Sequence, residues 1–150
     1  MFVDNARTAD SLATILRTLR KVTSGRLICV YGARGDQDVD NRPLLGRVVE
    51  RNADTGVITS NQPGTEPPLS IIHDVLDGYD RPSRGHVMPD RAKAICWAMS
   101  TARTGGTVLI AGDGVQSHQI GDEPFQIHDR DIARQWLKET ATPPSLSLYE

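Results

Sequence analysis

Leu27-Ile28-Cys29-Val30-Tyr31 runs directly into Gly32-Ala33-Arg34-Gly35-Asp36-Gln37-Asp38-Val39-Asp40-Asn41-Arg42-Pro43-Leu44-Leu45-Gly46. The five-residue run from Leu27 reads as a strand covered on both faces, the pattern of a parallel sheet. Pro43 suits the first turn of a helix, and Leu44, Leu45, Val48 and Val49 give that helix an apolar stripe. A charge-dense, glycine-bearing loop between a buried strand and a helix sits where open α/β sheets place their ligand sites, outside the carboxyl ends of the strands. This loop is the first candidate for chemistry.

The pattern repeats on both sides of it. Upstream, Phe2-Val3 is a short apolar start; from Ala9 onward Leu12, Ile15, Leu16, Leu19 and Val22 fall on one helical face, with Thr8 or Asp10 available as N-cap and Gly25 as the stop. Downstream, Gly56-Val57-Ile58-Thr59 reads as a second central strand that ends in the turn-rich Ser60-Asn61-Gln62-Pro63-Gly64-Thr65-Glu66-Pro67-Pro68. A third helix carries Leu69, Ile72, Val75 and Leu76; His86-Val87-Met88 is a short strand; Asp90 caps a fourth helix with Ala94, Ile95, Ala98 and Met99 facing inward. Thr107 to Ala111 is the third clear strand and runs into Gly112-Asp113-Gly114-Val115-Gln116. His118 to Ile120 and Phe125 to Ile127 suggest a hairpin or an antiparallel edge, and a last helix starts near Asp129, with Ile132, Ala133, Trp136 and Leu137 inward. Strands alternating with helices predict a Rossmann-like, doubly wound α/β domain with a mostly parallel sheet over residues 1–139, followed by a flexible tail over 140–150.

The composition, 38% hydrophobic and 24% charged with a formal net charge of −2, is that of a soluble globular domain and offers no electrostatic attraction to nucleic acid or an anionic membrane. Cys29 and Cys96 lack a CxxC spacing and read as small buried hydrophobes rather than a zinc or disulfide framework. No stretch approaches a membrane span or a signal pattern, so the cytoplasm is the expected location.

Lysine occurs only at positions 21, 93 and 138, so Gly32 to Gly35 is not a phosphate loop of the Gly-Lys-Ser/Thr type. On residue types alone, Arg34, Arg42 and the N-terminus of the helix at Pro43 suggest an anion site; the competing reading is a solvated loop in which Arg42 pairs with Asp36, Asp38 or Asp40. His73, His86, His118 and His128 show no metal-ligand spacing, and no serine or cysteine sits in a nucleophile context.

Three stretches together resemble one family. The opening Val3-Asp4-Asn5-Ala6-Arg7-Thr8-Ala9-Asp10-Ser11-Leu12, the loop Gly-x-x-Gly-Asp-x-Asp-x-x-x-Arg-Pro-Leu-Leu-Gly and the late Leu109-Ile110-Ala111-Gly112-Asp113-Gly114 look like the C-terminal domain of a Mur ligase. The branch is the one that adds diaminopimelate or lysine to UDP-N-acetylmuramoyl-alanyl-glutamate, and the likeness runs from Phe2 to about Leu137. In that family the domain is a lid that closes on a central ATPase domain, its partner in cis or in trans. ATP and Mg are bound in the full ligase; none is expected in this chain alone. The resemblance implies nucleotide contacts at Asp4, Arg7 and Arg42, and amino-acid-site loops at Asp36, Gln37, Asp38, at Asn61, Gln62, Gly64, and at Gly112, Gly114, Gln116.

At those loops this sequence departs from the family. Gln37 stands where an arginine usually lies between the two aspartates. Asn61-Gln62-Pro63-Gly64 stands for Asp-Asn-Pro-Arg, and Gly112-Asp113-Gly114-Val115-Gln116 for Gly-Lys-Gly-His-Glu. Amides cannot form the ion pairs or bidentate clamps of the groups they replace, so negligible diaminopimelate binding is expected. Asp129-Arg130 resembles the family's Asp-Asp-Arg, a structural N-cap. Two readings follow: the lid domain of an ATP-dependent amide ligase of peptidoglycan synthesis, inactive by itself, or a stand-alone, non-catalytic binding or regulatory module derived from one.

Overall fold

The computed structural model of the protein describes residues 1–112, 118–120 and 123–141. Five strands, β1 (Phe2–Asp4), β2 (Leu27–Tyr31), β3 (Thr55–Ile58), β4 (Gly85–Val87) and β5 (Thr107–Ala111), form one sheet in the order β1-β5-β2-β3-β4, and every pairing in it is parallel. Helices α1 (Ala9–Val22), α2 (Asn41–Asn52), α3 (Pro68–Leu76), α4 (Arg91–Thr101) and α5 (Asp129–Ala141) supply the covering layers.

Side chains alternate across a strand, so each central strand feeds two cores. Leu27, Cys29 and Tyr31 point to the face covered by α1, α2 and α3, where they meet Leu16, Val49 and Ile72. Ile28 and Val30 point to the other face, under Ala94, Ile95 and Ala98 of α4 and Ala133 of α5. This two-sided burial explains why β2 is apolar at every position, and each fully buried leucine or isoleucine contributes about 1.5–3 kcal/mol. Cys29 is buried, and burial raises its thiol pKa; Cys96 is only half-buried, less covered than its apolar neighbours imply.

Local signals set the helix ends. Thr8 caps α1 by accepting from the Ser11 N–H at 3.2 Å, while the Ser11 hydroxyl accepts from the Thr8 N–H at 3.2 Å. Asp90 caps α4 through the Lys93 N–H at 3.1 Å. Helix α2 begins at Asn41, two residues before the proline.

The expected antiparallel element is present as β6 (His118–Ile120) and β7 (Glu123–Ile127), but it forms its own two-stranded sheet rather than an edge of the main one. Helix α5 continues to Ala141, so Thr140 and Ala141 belong to it and not to a tail. Among the described residues no helix is long and apolar enough to cross a membrane.

The strand order fixes the place of a site. From β2 the chain winds outward through β3 to β4, then returns to place β5 on the opposite side of β2. Connections diverge between β2 and β5, and the crevice at their carboxyl ends is where ligands bind in open α/β sheets.

Candidate functional site

Two loops leave the carboxyl ends of β2 and β3 and lock onto each other. The Gly35 N–H donates to the Gln62 carbonyl at 3.1 Å, and a side chain at 35 would run into the Pro63 carbonyl. Asp36 has φ 61 and Asp38 has φ 47, left-handed conformations that aspartate tolerates better than most residues. The Asp36 N–H donates to Glu66 Oε1 at 2.7 Å, and the Asp36 carboxylate accepts from the Thr65 hydroxyl at 2.5 Å and the Thr65 N–H at 2.8 Å. Those bonds, the Thr65 hydroxyl first, hold the Asp36 carboxyl below its usual pKa.

Arg42 closes the staple. It is 1% exposed, and its Nη1 reaches Glu66 Oε2 at 2.8 Å and Asp74 Oδ2 at 2.9 Å, while Nη2 reaches Glu66 Oε1 at 2.6 Å and the Arg34 carbonyl at 3.1 Å. The bidentate pair raises the Arg42 pKa and brings Glu66 down to about 2, mainly through the Arg42 hydrogen bonds. The pairing of Arg42 with its neighbouring aspartates, one of the two readings from the sequence, does not hold here. Its partners are Glu66 and Asp74, not Asp36, Asp38 or Asp40. The geometry gives it a tethering role between the two loops, beside the nucleotide contact that the resemblance implies.

Beside this staple lies a cleft lined by Arg7 from the loop after β1, by Gly32, Arg34, Gln37 and Asp38 from the loop after β2, and by Asn61 from the loop after β3. The Arg7 Nε donates to the Gly112 carbonyl at 3.1 Å and to Asn5 Oδ1 at 3.2 Å, tying the first loop to the end of β5. The Asp4 Oδ1 accepts from the Ala6 N–H at 2.8 Å. Asn61 is 2% exposed, donates from Nδ2 to the Gly32 carbonyl at 3.4 Å, and lies against Gly112, whose φ is 111. Gln62 has φ 46 and Gly64 φ 60, and a Cβ at 64 would run into the Asp36 carboxylate.

The structure thus brings Arg7, Gln37, Asp38, Asn61 and Gly112 around one crevice, sets Asp36, Gln62 and Gly64 in the adjoining staple, and places Asp4 on the strand end beside it. Gly114 and Gln116 lie outside the described residues. Among the described residues no three His, Cys, Asp or Glu side chains gather as a metal site.

The ion pair of Arg91 with Asp129 is not apparent from the sequence. Asp129, 0% exposed, takes the Arg91 Nε and Nη2 at 2.8 Å each, and Arg91 also donates to the Ser60 carbonyl at 3.3 Å and the Ala111 carbonyl at 3.1 Å. Arg91 therefore fixes the ends of β3 and β5, from which two of the cleft loops depart. Asp129 is an ion-pair partner as well as a helix start. One signal was present: an arginine in the first turn of a helix opposes the helix dipole, so its charge serves something else.

A parallel sheet flanked by helices, with three strand-end loops gathered at its switch point, defines a Rossmann-like α/β domain. Residues 1–114 match the family described as "Mur ligase, glutamate ligase domain", and the chain belongs to that family. It is 45% identical over 119 residues to the "UDP-N-acetylmuramoyl-L-alanyl-D-glutamate--2,6-diaminopimelate ligase" of Chromobacterium violaceum, covering 78% of this chain and 24% of that protein. To the ligase of the same name from Thermosynechococcus vestitus it is 43% identical over 143 residues, covering 95% of this chain and 29% of that protein. A solved structure of a ligase of that name superimposes with a TM-score of 0.86 at 31% identity, over 94% of this chain and 29% of the other. The chain therefore spans between a quarter and a third of the length of these relatives.

Proposed function

We propose that this chain is the lid domain of an ATP-dependent amide ligase of peptidoglycan synthesis, in the cytoplasm, supplying nucleotide and amino-acid contacts to a central ATPase domain. The observation that carries the reading is the gathering of the β1, β2 and β3 loops with Gly112 around one switch-point crevice, in a chain whose family relatives are named as such ligases. ATP and its Mg, held in the central domain, supply the phosphoryl group that activates a carboxylate. This chain's residues bind and orient. Asp4 has a carboxylate oxygen beyond the one used on Ala6, suited to accept from a ribose hydroxyl, and Arg7 offers terminal amino groups beyond its Nε contacts. The crevice holds the incoming amino acid, and closure of such a lid aligns the reactants and excludes water.

Mixing the chain with a protein that carries the matching N-terminal and central domains tests this reading. ATP-dependent amide formation that needs both proteins is the expected result. No turnover with any amino acid would favour the alternative, a non-catalytic module, which the neutral side chains at the amino-acid loops support.

A further inference from the structure

The cleft has an asymmetry of charge that points to its ligand. Its cationic lining comes from Arg7 and Arg34, whereas the side chain buried beside Gly32 and Gly112 is the neutral Asn61. Asn61 Nδ2 is used on the Gly32 carbonyl, but its Oδ1 is buried and has no hydrogen-bond partner. Turning the amide over would set oxygen against the Gly32 carbonyl oxygen, so the nitrogen belongs on that side and the acceptor is the open valence.

A buried acceptor without a donor is an uncommon feature of a folded protein and marks a place for a ligand group. The neutrality of Asn61 restricts that group. A buried ammonium needs a buried carboxylate, and Asp38, the acidic residue lining the cleft, is exposed. A second ligand carboxylate finds no match there either. Arg42 is turned onto Glu66 and Asp74, and no side chain fits at position 64 while Asp36 holds Thr65. What remains is a neutral N–H donor, with a single carboxylate elsewhere on the ligand to answer Arg7, whose terminal nitrogens lie beyond its Nε contacts.

We propose that Asn61 is the specificity-determining residue of this cleft, and that the cleft takes an amino acid ending in a primary carboxamide, whose N–H donates to Asn61 Oδ1. The proposal rests on the cleft being the amino-acid site of the lid. Gln37 at the mouth is a second amide able to pair with such an end.

The test is an NMR titration of the isotope-labelled chain with L-glutamine, L-lysine, L-glutamate and meso-diaminopimelate. Glutamine is expected to shift the Asn61 side-chain amide and the Gly32 and Gly112 N–H signals, with the other three weaker by about tenfold or more. Asn61→Leu should abolish the glutamine response, and Asn61→Asp should move the preference to lysine. An equal or stronger response to lysine or diaminopimelate overturns the proposal. So does retained glutamine binding in Asn61→Leu or, should that variant not fold, an unchanged order in Asn61→Asp. A chain that responds to none of the four also overturns it, while leaving ligation in trans as a separate test of the lid reading.

Discussion

The stapled loops and the cleft beside them come from the same stretches of chain and use charge in opposite ways. In the staple, Arg42 is 1% exposed and pairs through both terminal nitrogens with Glu66 and Asp74, its Nε alone lacking a partner, while Asp36 joins through Glu66 and Thr65. In the cleft, Gln37 and Asn61 are neutral, and Asn61 keeps a buried acceptor without a partner. Charge next to this site therefore holds the loops in shape, whereas the buried group of the cleft is a neutral amide, with Arg7, Arg34 and Asp38 along the rest of the lining. The difference separates what the fold needs from what a substrate needs, and each can be perturbed alone.

The Arg91 to Asp129 pair underlies both regions, and breaking it should have the largest effect. Asp129→Ala leaves a buried guanidinium uncompensated and is expected to cost about 4 kcal/mol in denaturant unfolding. A loss under about 1 kcal/mol would mean that Arg91 finds water instead. Arg42→Met should cost about 3 kcal/mol, and Arg42→Lys should recover little of it, because a single ammonium cannot replace the bidentate fork on Glu66. Full recovery by lysine would show the staple to be a matter of charge alone.

Gly64→Ala should cost about 1 kcal/mol for its left-handed backbone alone, and more as the new Cβ displaces the Asp36 carboxylate from Thr65. If the cleft is independent of the staple, the Asn61 environment in the same variant will not change. The acid response is the mildest test. Glu66 is lowered from 4.5 to about 2, so its contribution is fully present above pH 4.5 and is lost as the pH falls toward 2, and Asp36 is shifted in the same direction. Glu66→Gln should flatten the fall in stability over that window, and an unchanged slope would contradict the pairing.

The sequence made the framework legible because its signals are local. The spacing from Leu12 to Val22, Thr8 before it, and the apolar runs at Leu27 and Thr107 specify the helices and strands within a few residues, and Gly32 onward marks the site loop. What holds that loop was not legible. Arg42 bonds Glu66 and Asp74, 24 and 32 residues away, and Arg91 bonds Asp129 across 38, distances at which no periodicity operates. The nearer Asp36, Asp38 and Asp40 were the natural guesses, but left-handed turns at Asp36 and Asp38 point that segment toward Thr65 and Glu66 instead. The empty valence on Asn61 likewise depends on Gly32 and Gly112, which only the fold brings beside it.

Replacing the corresponding domain of a diaminopimelate-adding relative with this chain tests the central claim most directly, with ATP-dependent ligation as the readout. The account predicts a chimera that still forms amide bonds with another amino acid but adds diaminopimelate slower by roughly 30-fold or more, the effect of losing one charge partner worth about 2 kcal/mol. Addition of diaminopimelate at the relative's own rate would contradict it.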